Sequence, residues 1–241
     1  MTVSSKAPSL ATVRAELHAL AVPADAVHLR RFFKTGPGEY GEGDRFLGLR
    51  VPALRGLVRK YGNLDDASAL EMLKSAWHEE RLLGLLLLVE AHGRADESRR
   101  KKIHREYLAH TRHINNWDLV DASAEYIVGA QLQPDDVALL ERLARSKNVW
   151  ERRIAIVSTF HFIKRKKFRP TLKIAELLLH DTHDLIHKAV GWMLREVGKR
   201  DRRALDAFLG KHYREMPRTM LRYAIERHPE TVRKKYLAGT I

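Results

Sequence analysis

One interval governs this chain. Arg81, Trp117, Arg153, Lys188 and Arg222 follow one another at spacings of 36, 36, 35 and 34 residues, each inside a segment of helical pattern. The segments read EERLLGLLLLV, NNWDLVDASAEYIV, WERRIAIVST, IHKAVGWMLREV and TMLRYAIER, polar at the start and apolar in a stripe thereafter. A helix pair of about 35 residues cannot bury its apolar face alone, so neighbouring pairs must stack. This predicts an all-α solenoid of HEAT-like helical repeats, about fourteen short helices in roughly six to seven pairs, with a concave basic groove. A stacked array is one continuous object, so residues 1–241 are expected to form a single domain.

Helix punctuation supports that reading. Pro23, Pro52, Pro134, Pro170 and Pro217 each stand just ahead of a helical pattern, where a missing N–H costs little and a fixed φ suits the first turn. Asp65, Asn148 and Asp184 precede other runs as N-cap candidates. One stretch resists: KTGPGEYGEGDR, residues 34–45, is too rich in glycine for a regular helix and is expected to be a mobile loop or small hairpin. Its Glu39, Glu42 and Asp44 would repel a phosphate.

Charge narrows the partner. Lys plus Arg number 44 against 30 Asp plus Glu, a formal net charge of +14, which favours a polyanion. The absence of cysteine excludes disulfides, thiolate chemistry, zinc fingers and iron–sulfur clusters. His180, His183, Asp184 and His187 have helical spacings but lack the HExxH arrangement, so no metal or other cofactor is expected. The longest aliphatic run, Leu82 to Val89 with one glycine, is far short of the roughly 20 residues that span a bilayer, and the N-terminus MTVSSKAPSL has no apolar signal core. The expectation is a cytoplasmic monomer with no membrane contact.

With this period, one phase of each second helix should face one concave surface. Arg81, Arg153, Lys188 and Arg222 would line it as phosphate contacts, with Arg152 beside Arg153. One turn beyond Trp117, on the same helix face, stands Asp121, followed in phase by Val157 and Trp192. Trp117, Asp121, Arg153 and Trp192 are therefore expected to converge, although any one of them read alone suits a core or a solvated surface.

At these residues the sequence resembles the AlkD-like family of DNA alkylation repair glycosylases. The matching stretches are FLGLRVPALR at 46–55, NNWDLVD at 115–121, NVWERRIAI at 148–156 and HKAVGWMLRE at 187–196. The resemblance implies hydrolysis of the N-glycosidic bond of positively charged N3- or N7-alkylated purines in duplex DNA, without base flipping, as a step of base excision repair. It implies Asp121 as the catalytic aspartate, Trp117 and Trp192 as the aromatic pair around the lesion's deoxyribose, and Arg153 as a contact to the DNA backbone. The glycine-rich stretch before Phe46 departs from the family pattern.

The chemistry fits those residue types. A cationic base already leaves well and needs no general acid. What remains is to stabilise an oxocarbenium-like sugar and guide a water, which one ionised carboxylate does by charge and by accepting a proton. Glycosidases acting on neutral sugars commonly use two. Two further readings compete: a non-catalytic HEAT-repeat protein that binds damaged or branched DNA, and a helical adaptor for an acidic protein. Asp121 between two tryptophans favours the enzyme.

Overall fold

The computed structural model describes residues 8–241, and among them the regular structure is helical, with no strand beyond two isolated bridges. The first seven residues of the stretch read as lacking a signal core lie outside the described residues. Sixteen α-helical segments occur among the described residues, two of them single turns at 124–127 and 160–163, against the expected count of about fourteen. The fold is the expected α-solenoid class of stacked helix pairs. No described helix is long and apolar enough to cross a membrane.

Packing divides the chain into two compact units, one ending at Ser123 and one running from Ala124 to Ile241. The first contains α1 (Leu10–Ala19), α2 (Pro23–Phe32), α3 (Val51–Tyr61), α4 (Asp66–Met72), α5 (His78–Arg94), α6 (Glu97–Ala109) and α7 (Trp117–Asp121). The second contains α8 (Ala124–Ile127), α9 (Ala138–Ala144), α10 (Val149–Ser158), α11 (Phe160–Ile163), α12 (Arg169–Leu177), α13 (Asp184–Arg200), α14 (Arg202–His212), α15 (Arg218–Ala224) and α16 (Glu230–Ala238).

Helix starts follow the punctuation in the sequence. Pro23 opens α2, Pro52 is the second residue of α3, and Pro217 is the N-cap of α15. The Asp65 and Asn148 side chains accept the Ser68 and Trp150 amides as caps of α4 and α10. At α13 the cap lies one residue earlier than expected: the His183 ring nitrogen Nδ1 accepts the Leu185 N–H at 3.1 Å. His187 is engaged too, through Nε2, with the Asp181 carbonyl.

In the first unit α5 is the central element, and its sequence explains why. HEERLLGLLLLVEAHGR is apolar nearly all round past its first turn, which suits a helix covered on every side. It packs against α3, α4, α6 and α7. Even its polar first turn is buried, with His78, Glu79, Glu80 and Arg81 between 1% and 4% exposed. Each of these must find a partner inside the protein. Glu80 takes Arg14 Nε at 2.9 Å and His18 Nε2 at 2.6 Å, tying α1 to α5. Glu79 accepts three backbone N–H groups, from Leu47, Gly48 and Leu49, at 2.9 to 3.0 Å. That grip fixes the FLGLR strip, where Gly48 holds φ +89 and a Cβ would sit 2.1 Å from the Val22 carbonyl oxygen.

Gly84 marks the close approach of α4 and α5, since a Cβ there would lie 2.6 Å from the Ala69 carbonyl oxygen. Gly84→Ala should lower stability by about 1–3 kcal/mol through overpacking against backbone that cannot swing aside. A denaturant titration checks it, and a variant as stable as wild type would contradict the close approach. In the second unit α13 is the central helix, packing against α10, α12, α14 and α15. Gly191 meets α15 in the same manner, its notional Cβ 2.5 Å from the Met220 carbonyl oxygen.

Candidate active site

Two of the expected site residues, Trp117 and Asp121, come from the shortest helix of the first unit. Asn116 is fully buried and caps α7, Trp117 is its first residue and Asp121 its last, so these two candidate side chains stand one turn apart. Both are partly exposed. Five residues are too few for a helix to hold itself in water, so α7 must be fixed by what it packs on. At its end, the Ser123 hydroxyl donates to the Leu119 carbonyl at 2.6 Å and lies 3.0 Å from the buried Tyr107 hydroxyl. Burial pushes the Tyr107 phenol pKa up, the hydrogen bond with Ser123 opposes this, and the nearby Asp121 charge adds to the rise.

At the start of α7 lies a buried charged cluster that the sequence reading did not anticipate. His78 Nε2 is 2.8 Å from Asp118 Oδ2, and its Nδ1 is 3.2 Å from Asp44 Oδ2. Asp44 also receives Arg81 Nη2 at 2.7 Å and Asn116 Nδ2 at 3.4 Å. Two carboxylates and two cations close a charge-balanced quartet. Burial alone would lower the His78 pKa, but the Asp118 charge and the hydrogen bonds to Asp118 and Asp44 outweigh it and raise the pKa to about 9. For Asp44, burial pushes the pKa up, while the His78 hydrogen bond and the Arg81 charge bring it below the usual carboxylate value. A histidine whose folded pKa is raised contributes stability that is fully present below its unfolded pKa of about 6.5 and is lost as pH rises through about 9.

Aromatic rings join this cluster to Trp117. Phe46 stacks on the His78 ring at 4.6 Å between centroids, and Phe33 lies 4.8 Å from it on a tilted plane. Phe33 in turn stacks on Trp117 at 5.3 Å, and Phe32, exposed, meets the same indole edge-on at 5.9 Å.

Asp44 is the product of the glycine-rich stretch. Residues 34–45 form successive turns without paired strands, so of the loop and the hairpin expected the structure has the loop. The Gly36 and Gly38 amides donate to Glu39 and Glu42, and Gly41 donates to the Lys34 carbonyl, so two of the three acidic side chains serve the loop's own backbone. The stretch ends by delivering Asp44 to His78 and Arg81.

The cation ladder needs correction. Arg81 is 4% exposed, with Nη2 on Asp44 and Nη1 on the Ser75 carbonyl at 2.9 Å, so it is not presented to a phosphate. Arg153 is 5% exposed and donates to the Leu185 carbonyl at 2.6 Å, linking α10 to the start of α13. Arg152 takes the Ser146 and Lys147 carbonyls and Asp181. The structural counterpart of Arg81 is in fact Arg152. Each donates to the carbonyl of a serine six residues back, each of those serine hydroxyls accepts the N–H two residues on, and each arginine pairs with an aspartate. The repeat therefore spans 71 residues between these two positions, not 72, and one residue turns a helical side chain by about 100°. Lys188 is partly exposed and pairs with Asp184 at 2.7 Å, and Arg222 is exposed on α15.

These placements separate two kinds of arginine. Arg81→Ala should cost about 3–5 kcal/mol by leaving Asp44 short of a cation, whereas Arg222→Ala should leave stability unchanged. Thermal melts check both, and the reverse pattern would mean that Arg81 is the presented cation.

Trp192 belongs to the second unit, partly exposed on α13 and edge-on to Phe160 at 5.8 Å. Lys164 Nζ lies over the Phe160 ring at 4.6 Å. The available sequence signal for the missed cluster is the polar start of each second helix, HEER and NNWD, much of which the structure buries.

Among curated proteins no relative matches. Among solved structures, a protein described as a predicted DNA alkylation repair enzyme from Enterococcus faecalis shares the fold, with a TM-score of 0.66 over 87% of this chain and 97% of that one at 14% identity. The family model described as DNA alkylation repair enzyme matches residues 13–228. With that match running from α1 to the residue before the cap of α16, the chain belongs to the DNA alkylation repair enzyme family.

Proposed function

We propose that this protein is a DNA glycosylase that hydrolyses the N-glycosidic bond of positively charged N3- and N7-alkylated purines in duplex DNA, without extruding the base. The observation that carries the proposal is Asp121, a partly exposed carboxylate one helical turn from the partly exposed Trp117 in a chain of net charge +14. Family membership supports DNA alkylation damage as the substrate class.

In this reading the bond between C1′ and the purine nitrogen breaks heterolytically, and its electron pair neutralises the cationic base. Water adds to C1′ and loses a proton to the Asp121 carboxylate. Ionised Asp121 also stabilises the positive charge that develops on the sugar. The Trp117 face favours a cationic nucleotide over a neutral one by about 0.5–2 kcal/mol. Lys188, partly exposed, and Arg222, exposed, are proposed to neutralise phosphates.

The test is release of 3-methyladenine and 7-methylguanine from randomly methylated duplex by the purified protein. Release that requires Asp121 supports the enzyme. Salt-sensitive binding without release would replace it with a DNA-binding scaffold, and absence of both would favour an adaptor.

A further inference from the structure

The carboxylate assigned to catalysis sits on a helix of five residues, and the question is what aims it. The tie at the start of α7 runs through Asp118, whose Oδ1 accepts the Leu119 amide at 2.9 Å while Oδ2 faces His78 Nε2 at 2.8 Å. His78 is 2% exposed and cannot exchange its partners for water. Its second nitrogen faces another carboxylate, Asp44, at 3.2 Å. An ionised carboxylate only accepts hydrogen bonds, so both ring nitrogens can donate only when the imidazole carries two protons. A neutral ring would point one lone pair at a carboxylate in a site where solvent cannot relieve the repulsion.

We infer that His78, as an imidazolium, is a positioning residue for excision: it holds α7 through Asp118 and so sets where Asp121 and Trp117 meet the damaged nucleotide. The inference rests on the glycosylase reading for its activity arm and on geometry for the rest. Every charged group facing the ring belongs to the same arrangement. Asp118 comes from α7, Asp44 from the turn segment and Arg81 from α5 itself, and Asp44 is shared between Arg81 and the ring. The aromatic stack adds a second link, because Phe33 touches both the His78 ring and Trp117. Loss of the ring proton therefore loosens α7 at its first turn, where the polar tie and the stacked indole are adjacent.

Three readouts on the full-length protein test this. Long-range proton–nitrogen NMR at pH 7.5 should show both His78 ring nitrogens protonated, and a neutral ring would overturn the inference before any assay. The excision rate of wild type should fall on the alkaline side with the midpoint of the His78 titration. His78→Gln should be slower by about ten- to a hundredfold at pH 7.5, should lack that alkaline limb, and should bind duplex DNA within about threefold of wild type. A His78→Gln protein that excises at the wild-type rate, or a slowed one that keeps the wild-type limb, would sink the idea.

A merely destabilising role for His78 would slow the enzyme without moving the pH limb. If wild type excises nothing at any pH, the glycosylase reading fails by itself. The link from His78 to α7 is then read from the Trp117 indole resonance, which should shift with the His78 titration. An indole resonance that ignores His78 protonation would overturn the link.

Discussion

Asp121→Asn should release methylated purines from duplex DNA about a hundred- to a thousandfold more slowly than wild type, with DNA affinity and its salt slope unchanged. The substitution keeps shape and removes charge. An amide neither stabilises an oxocarbenium-like sugar by charge nor takes a proton from the attacking water, so both contributions assigned to Asp121 vanish together. Binding should survive, because phosphate contacts are assigned to cations and not to α7. The Asn variant should also fold: Asp121 is the last residue of α7 and is not part of the buried quartet. Single-turnover release assays beside filter binding check both halves. Undiminished release would remove Asp121 from the mechanism, and equal loss of release and binding would show that the substitution acts through the fold.

The second large effect is one of stability. Glu79→Ala should cost about 3–5 kcal/mol, because the Leu47, Gly48 and Leu49 amides would each be left buried without an acceptor, at about 1–3 kcal/mol apiece before relaxation. At about 2–4 °C per kcal/mol for a chain of this size, the melting temperature should fall by roughly 6–20 °C. Glu79→Gln, which keeps one carbonyl oxygen, should lose less than half as much. A melt of Glu79→Ala within a degree or two of wild type would mean that the FLGLR strip is held by packing alone. The effect should reach Phe46 as well, the first residue of the strip, which stacks on His78.

The helices were legible because a 35-residue period, helix-starting prolines and capping side chains are local signals. Pro23, Pro217, Asp65 and Asn148 each stand within a residue or two of the helix they begin. The adjacency of Trp117 and Asp121 was legible for the same reason, being set by four residues of one helix. The ladder was not, because phase at a distance depends on counting every intervening residue. A single-residue difference in interhelix turns moved the counterpart of Arg81 from Arg153 to Arg152. The partnership of Asp44 with His78 was invisible for a different reason. The two are 34 residues apart, and nothing in a glycine-rich turn announces which of its acids turns inward.

The turn segment also sets how this protein tolerates change. Lengthening a flexible loop is cheap, about 0.6 kcal/mol for each doubling, so residues can be added at the exposed tip, Pro37 to Glu39, at little cost to stability, whereas Gly41 is fixed because a Cβ there would lie 2.4 Å from the Phe33 carbonyl oxygen. Asp44 has no such latitude, because a shift of one position would remove the anion shared by His78 and Arg81. Grafts and deletions here should therefore be spliced upstream of Asp44. Natural variation in loop length can accumulate in this segment while the register of its final residue stays fixed.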